Sequence, residues 1–227
     1  METSFLLAII QPVIIALLLV LYINFKFSVS TWKFIIRAFL FGLLAIIPLA
    51  LLDLIAGSFG IDNLRNLKRI GFYAFVVVGF GSELGKFVLL RYVFLRLKTF
   101  SGPLDGIIYA LFISLGFSLL AIPLFAQGLF AREMEPLFLL TYTLAGLVFA
   151  VVMGFFTGMG KYRKNRLIDS FTGLAAASFF HGFFYFANLT SDKTILLLFG
   201  IGVLLIAVLL GVKAINIKDQ EERRGTK

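Results

Sequence analysis

The 227-residue chain has no cysteine and only one histidine. The first absence excludes a disulfide framework, a thiolate metal cage and a cysteine nucleophile, while leaving the redox compartment open. The second confines imidazole chemistry to His181. No low-complexity linker, clear internal repeat or second domain is visible. No segments alternate polar and apolar residues over the roughly 10 residues of a membrane barrel strand. The start, Met1-Glu2-Thr3-Ser4, lacks the positive charge of a secretory signal, so the apolar run behind it reads as an uncleaved first helix.

What the chain does have is apolar residues, at 60% of the sequence and a mean hydropathy of +1.02. That is far beyond soluble composition. Lipid offers no hydrogen-bond partner to a backbone, so unbroken apolar runs of about 20 residues must span as helices. Seven such runs lie near Phe5 to Phe25, Phe34 to Ala56, Ile70 to Leu90, Leu104 to Phe125, Leu137 to Met159, Leu167 to Leu189 and Thr194 to Ile215. The expected fold is an all-α bundle of about seven transmembrane helices over residues 1–217, followed by a charged tail, 218–227, without regular structure.

The net charge of +9 follows the topology. Fifteen of the 21 basic residues fall on one side of the seven spans and five on the other, with Lys86 inside the third span. Cytoplasmic loops carry the excess, which sets the N-terminus outside and the tail in the cytoplasm. No basic stripe suited to nucleic acid is formed. Three cations in Asp62 to Arg69 fall on the outer side, where a short amphipathic interfacial helix is the expectation.

Charge near the bilayer centre costs about 2.5–3.5 kcal/mol on insertion scales, so intramembrane ionisable groups are the first candidates for function. Glu83 and Lys86 lie within the third span, three residues apart and on one helix face. His181 lies in the sixth. At a rise of about 1.5 Å per residue, Glu83 is roughly 12 Å and His181 roughly 15 Å from the cytoplasmic boundary, so the two can meet. Glycines 79, 81, 85 and 182 permit close helix approach at that level. The plainer readings are an ion pair one turn apart that needs no chemistry, and a hydrogen-bonded histidine among aromatic rings. A Ser82–Lys86 dyad shares a helix face too, but Glu83 would keep that lysine protonated.

From Gly79 to Phe186 the chain resembles the PrsW-type intramembrane proteases, bacterial membrane proteins distantly similar to the CAAX-protease group. Ser82-Glu83-Leu84-Gly85-Lys86 is similar to the family's Glu-Glu-x-x-Lys motif. Asp105-Gly106-Ile107-Ile108-Tyr109-Ala110, running into Ser114-Leu115-Gly116-Phe117, resembles Asp-Gly-x-x-Tyr-Gly followed by Gly-Phe-Ala. The basic loop Lys161 to Arg166, then Gly173-Leu174 and His181-Gly182, resembles Gly-Leu and His-Gly-x-x-Asp.

The resemblance implies an intramembrane protease of the bacterial cytoplasmic membrane that cuts membrane-anchored proteins such as anti-sigma factors. It implies Glu83, Lys86 and His181 as catalytic residues, Ser82, Asp105 and Tyr109 at the substrate, and a divalent metal such as zinc on Glu83 and His181. The departures all remove acids. Ser82 stands at the family's first glutamate, Ala121-Ile122 at its Glu-Asn pair and Tyr185 at its aspartate. A catalytic zinc usually takes three protein ligands and an open position, so this set supplies a metal poorly. The alternative is an inactive relative that binds or scaffolds transmembrane segments. A small transporter is a third reading, but the halves show no matching broken helices.

Overall fold

A computed structural model describes residues 2–27, 32–163, 165–190 and 193–225. They form seven helices long and apolar enough to cross a membrane. We number them α1 (Glu2–Phe27), α2 (Trp32–Ser58), α3 (Leu67–Phe94), α4 (Pro103–Ala126), α5 (Pro136–Tyr162), α6 (Arg166–Leu189) and α7 (Lys193–Gly225). Each expected span is present, to within a few residues.

Local chemistry sets several of the ends. Prolines 103 and 136 open α4 and α5, where the missing N–H costs nothing. α2 breaks between its two pieces, Trp32–Leu44 and Ile47–Ser58, because Pro48 can neither donate to nor clear the turn before it. The expected interfacial helix does not form at Asp62 to Arg69. Residues 61–66 are irregular, and Asn66 caps α3 by accepting the Arg69 N–H at 3.0 Å. Arg69 donates to the Gly60 carbonyl at 2.7 Å, which satisfies that cation and ties the loop to the helix start.

α7 continues beyond its apolar span to Gly225. Composition suggested no regular structure for residues 218–227, yet α7 runs through 218–225, where Asp219 and Arg223 are spaced four apart as good helix pairs are, and 226–227 lie outside the described residues.

α3, α4, α5 and α6 make the core. In α3 and α4, 67% and 72% of the most apolar 18-residue window is buried, against 17%, 22% and 11% in α1, α2 and α7. The outer three present leucines such as Leu17 and Leu209 outward, as lipid-facing helices do. α4 and α5 share the most extensive contact, followed by α5 with α6, the first half of α2 with α4, and the first half of α3 with α6. That last contact is very close. A Cβ on Gly79 would lie 2.6 Å from the Ser178 carbonyl oxygen and 2.7 Å from the Gly182 nitrogen, so backbone meets backbone there.

α3 has an irregularity that matters for its contents. Tyr73–Phe80 and Leu90–Phe94 are π-helical, with the α-helical turns Gly81–Leu89 between them. Wider π turns re-aim the side chains that follow, and they recur at functional sites.

Candidate active site

The turns between the two π segments carry Ser82, Glu83 and Lys86 into the core, where all three are buried. α6 brings His181 to them across the Gly79–Gly182 contact. His181 Nδ1 lies 2.7 Å from Glu83 Oε1, and the Lys86 ammonium donates to the same oxygen. A carboxylate can only accept, so Nδ1 carries the proton. The second carboxylate oxygen, Glu83 Oε2, and the second ring nitrogen, His181 Nε2, are buried with no protein partner. Lys86 also sits 4.8 Å from the Phe117 ring centre on α4, a cation–π contact that partly replaces its hydration.

α5 closes the site. The ring of Tyr142 meets the imidazole edge-to-face at 5.5 Å and that of Phe149 lies 5.3 Å from it. The hydroxyls of Tyr142 and Ser82 are both buried. Beyond Phe149 and Phe184 a groove of about 850 Å³ opens outward between α5 and α7, walled by Leu144, Val148, Gly200 and Leu204. Leu144 and Leu204 are half-exposed on the lipid side, and Phe149, whose ring packs on His181, lines the groove's inner wall.

The remaining expected site residues lie elsewhere. Asp105 accepts from the backbone N–H and hydroxyl of Ser101, at 2.6 and 2.8 Å, and holds the start of α4. Tyr109 stacks on Phe94 and Phe100, at 4.9 and 5.9 Å. Phe94 is eleven residues beyond Glu83 on α3, or about 16 Å along the axis, so Tyr109 serves the far end of the bundle. Lys161 donates to the carbonyls of Leu95 and Leu97 there, at 3.0 and 2.9 Å, and closes the end of α3. Tyr185, where the family has aspartate, donates to the Phe130 carbonyl at 3.0 Å and pins the loop between α4 and α5.

Sequence reasoning passed over Tyr142, Phe149 and Asp53. Asp53 was visible as a charge inside the second span, and the structure pairs it with the Tyr73 hydroxyl. Tyr142 had only the signal of one hydroxyl in an apolar run.

A metal would find two buried, unpartnered donors here, Glu83 Oε2 and His181 Nε2. Among the described residues no group of three or more His, Cys, Asp or Glu side chains can hold an ion. The Lys86 ammonium further neutralises the carboxylate. The donor set therefore falls short of the three protein ligands of a catalytic zinc.

Seven spanning helices around a buried carboxylate–imidazole pair define the class, a multi-pass helical membrane protein with a polar site in its core. The chain belongs to the PrsW family of intramembrane metalloproteases, whose pattern it matches over residues 30–212. It is 26% identical over 185 residues to Protease PrsW of Geobacillus kaustophilus, covering 79% of this chain and 77% of that one. It is 28% identical over 163 residues to Protease PrsW of Oceanobacillus iheyensis, covering 69% and 72%, and 29% identical over 179 residues to that of Halalkalibacterium halodurans, covering 74% and 76%. No solved structure matches it.

Proposed function

We propose that this chain hydrolyses a peptide bond of membrane-anchored proteins within the bilayer, using His181 as general base and Glu83 to orient it. One observation carries the reading: Nδ1 is committed to Glu83, and Nε2 has no protein partner. In the neutral ring the proton on Nδ1 leaves a lone pair on Nε2, which can take a proton from water. Glu83 then stabilises the imidazolium, as a buried carboxylate does for the histidine of a serine protease triad. The water oxygen bonds to the carbonyl carbon, the C–N bond breaks, and the departing nitrogen receives the proton from Nε2. No step is routed through a metal, because the donors do not make a site for one.

The substrate class is a protein with a single transmembrane segment, of the anti-sigma-factor kind. The groove between α5 and α7 supports this, being apolar, open at membrane depth and backed by Phe149, whose ring packs on His181. The basic bias of the loops supports a bacterial cytoplasmic-membrane protein with a cytoplasmic tail.

The test is purified protein in liposomes with a single-span reporter. Wild type releases a fragment and His181→Ala does not, and chelators leave the rate unchanged. Equal turnover in the two proteins would remove His181 from the reaction, and a chelator-dependent rate would restore a metal. Substrate path has its own check. The chain lacks cysteine, so single cysteines at Leu144 or Leu204 should form disulfides with a cysteine in the reporter's membrane segment, while one at Leu17 on α1 should not. Uniform cross-linking at all three would place the substrate outside the groove.

The Lys86–Glu83 pair and the replaced family acids favour one second reading, a relative that holds transmembrane segments without cutting them. It predicts the groove cross-links with no fragment from wild type.

A further inference from the structure

We propose that the C-terminal end of α3 binds the phosphate headgroup of an anionic phospholipid, held by Arg91 and Arg96 beside Tyr92. This stands whether or not the chain cleaves a substrate.

The second π segment of α3, Leu90–Phe94, lies beyond the turns that carry Glu83 and brings Arg91 and Tyr92 to the surface. The Tyr92 ring is half-exposed, and two guanidiniums gather on it, with Arg91 Cζ 5.8 Å and Arg96 Cζ 5.6 Å from the ring centre. Like charges brought to one ring repel each other, and an anion between them turns that cost into attraction. Among the described residues no carboxylate pairs with either arginine. Asp105, the acid that opens α4, accepts from Ser101 instead. Arg91 also donates one N–H to the Arg166 carbonyl, which fixes its guanidinium between α3 and the start of α6 and leaves further N–H groups for a ligand.

What adjoins the arginines selects the ligand. Val88, one turn before Tyr92, and Leu167, Ile168 and Phe171 on α6 are exposed apolar side chains, and Arg91 Cζ lies 5.8 Å from the Phe171 ring centre. The two cations therefore stand where an apolar, lipid-facing wall ends, on the side of the bundle whose loops hold most of the basic residues. A phospholipid matches both parts. Its phosphate oxygens accept charge-assisted bonds from guanidinium, and its acyl chains cover the wall. Free phosphate matches only the first part. A zwitterionic headgroup brings its own cation to the arginines, so an anionic one is favoured.

Fluorescence quenching in vesicles tests this. Trp32→Phe removes the single tryptophan of the chain, and Val88→Trp then reports the lipid beside the arginines. Phosphatidylcholine vesicles contain a minority of dibrominated phosphatidylglycerol or the same share of dibrominated phosphatidylcholine, whose bromines quench an adjacent indole. Two cations near the surface should favour the glycerol lipid at Val88 on the order of 10-fold. Leu17→Trp on α1 should show little preference. Arg91→Gln/Arg96→Gln should abolish the preference at Val88, and Arg96→Gln alone should cut it about fivefold. Inorganic phosphate, with ionic strength held by sodium chloride, should leave it unchanged. Equal quenching by the two lipids at Val88 overturns the proposal, as does a preference that survives loss of both arginines or is matched at Leu17. Displacement by inorganic phosphate would make this a site for the free anion and overturn the lipid assignment.

Discussion

Glu83→Gln should lower turnover by about 10⁴-fold, the order seen when a triad carboxylate becomes an amide and the imidazole loses its orienting acceptor. The same substitution should cost about 3–5 kcal/mol of stability, because it strands the Lys86 ammonium in an apolar core without its counter-charge. The two effects have different causes and can be separated. Adding Lys86→Met removes the stranded charge and fills its volume, so the double variant should recover most of the lost thermal midpoint while remaining inactive. Turnover and unfolding in detergent measure the two arms. If Glu83→Gln/Lys86→Met cleaves the reporter at more than a tenth of the wild-type rate, Glu83 does not orient the base.

Gly79→Val is expected to damage both the fold and the site. Its Cβ would meet the Ser178 carbonyl oxygen at 2.6 Å and the Gly182 nitrogen at 2.7 Å, and backbone cannot rotate away as a side chain can. α3 and α6 must separate. Overpacking of this kind costs about 1–3 kcal/mol or more. The functional loss should be larger still, because Glu83 lies one turn past Gly79 and His181 is next to Gly182. A displacement of about 1 Å between catalytic groups lowers the rate on the order of 10²-fold. Gly211→Ala is the control, since a Cβ there meets nothing within 4 Å and the residue lies outside the groove. Wild-type stability and turnover in Gly79→Val would mean that this helix contact does not hold the pair together.

Much of the candidate site was legible in the chain. Glu83 and Lys86 announced themselves as charges in an apolar run, and counting residues from the boundaries put Glu83 and His181 at one depth. The hydrogen bond between them follows from that depth plus a close helix contact. Asp105 and Tyr109 show the limit of motif reading. They lie close to the other motifs in sequence order, but α4 carries them to the end of the bundle, where one holds a helix start and the other stacks on Phe94. Tyr142 was hidden for a different reason. A hydroxyl in a transmembrane helix is unremarkable by composition, and only the edge-to-face contact of its ring with the imidazole distinguishes it.

By itself the sequence determined the seven spans, the charge bias of the loops and the identity of the buried ionisable residues. It could do so because a backbone in lipid must satisfy its hydrogen bonds within its own helix, which makes each span a local property of its residues. The tertiary structure decided which side chains face one another. The rotation of each helix about its axis depends on π turns in α3, on the Gly79–Gly182 contact and on rings contributed by α5. These are long-range packing terms, and they place Tyr142 against His181 while leaving the pair short of a third metal ligand.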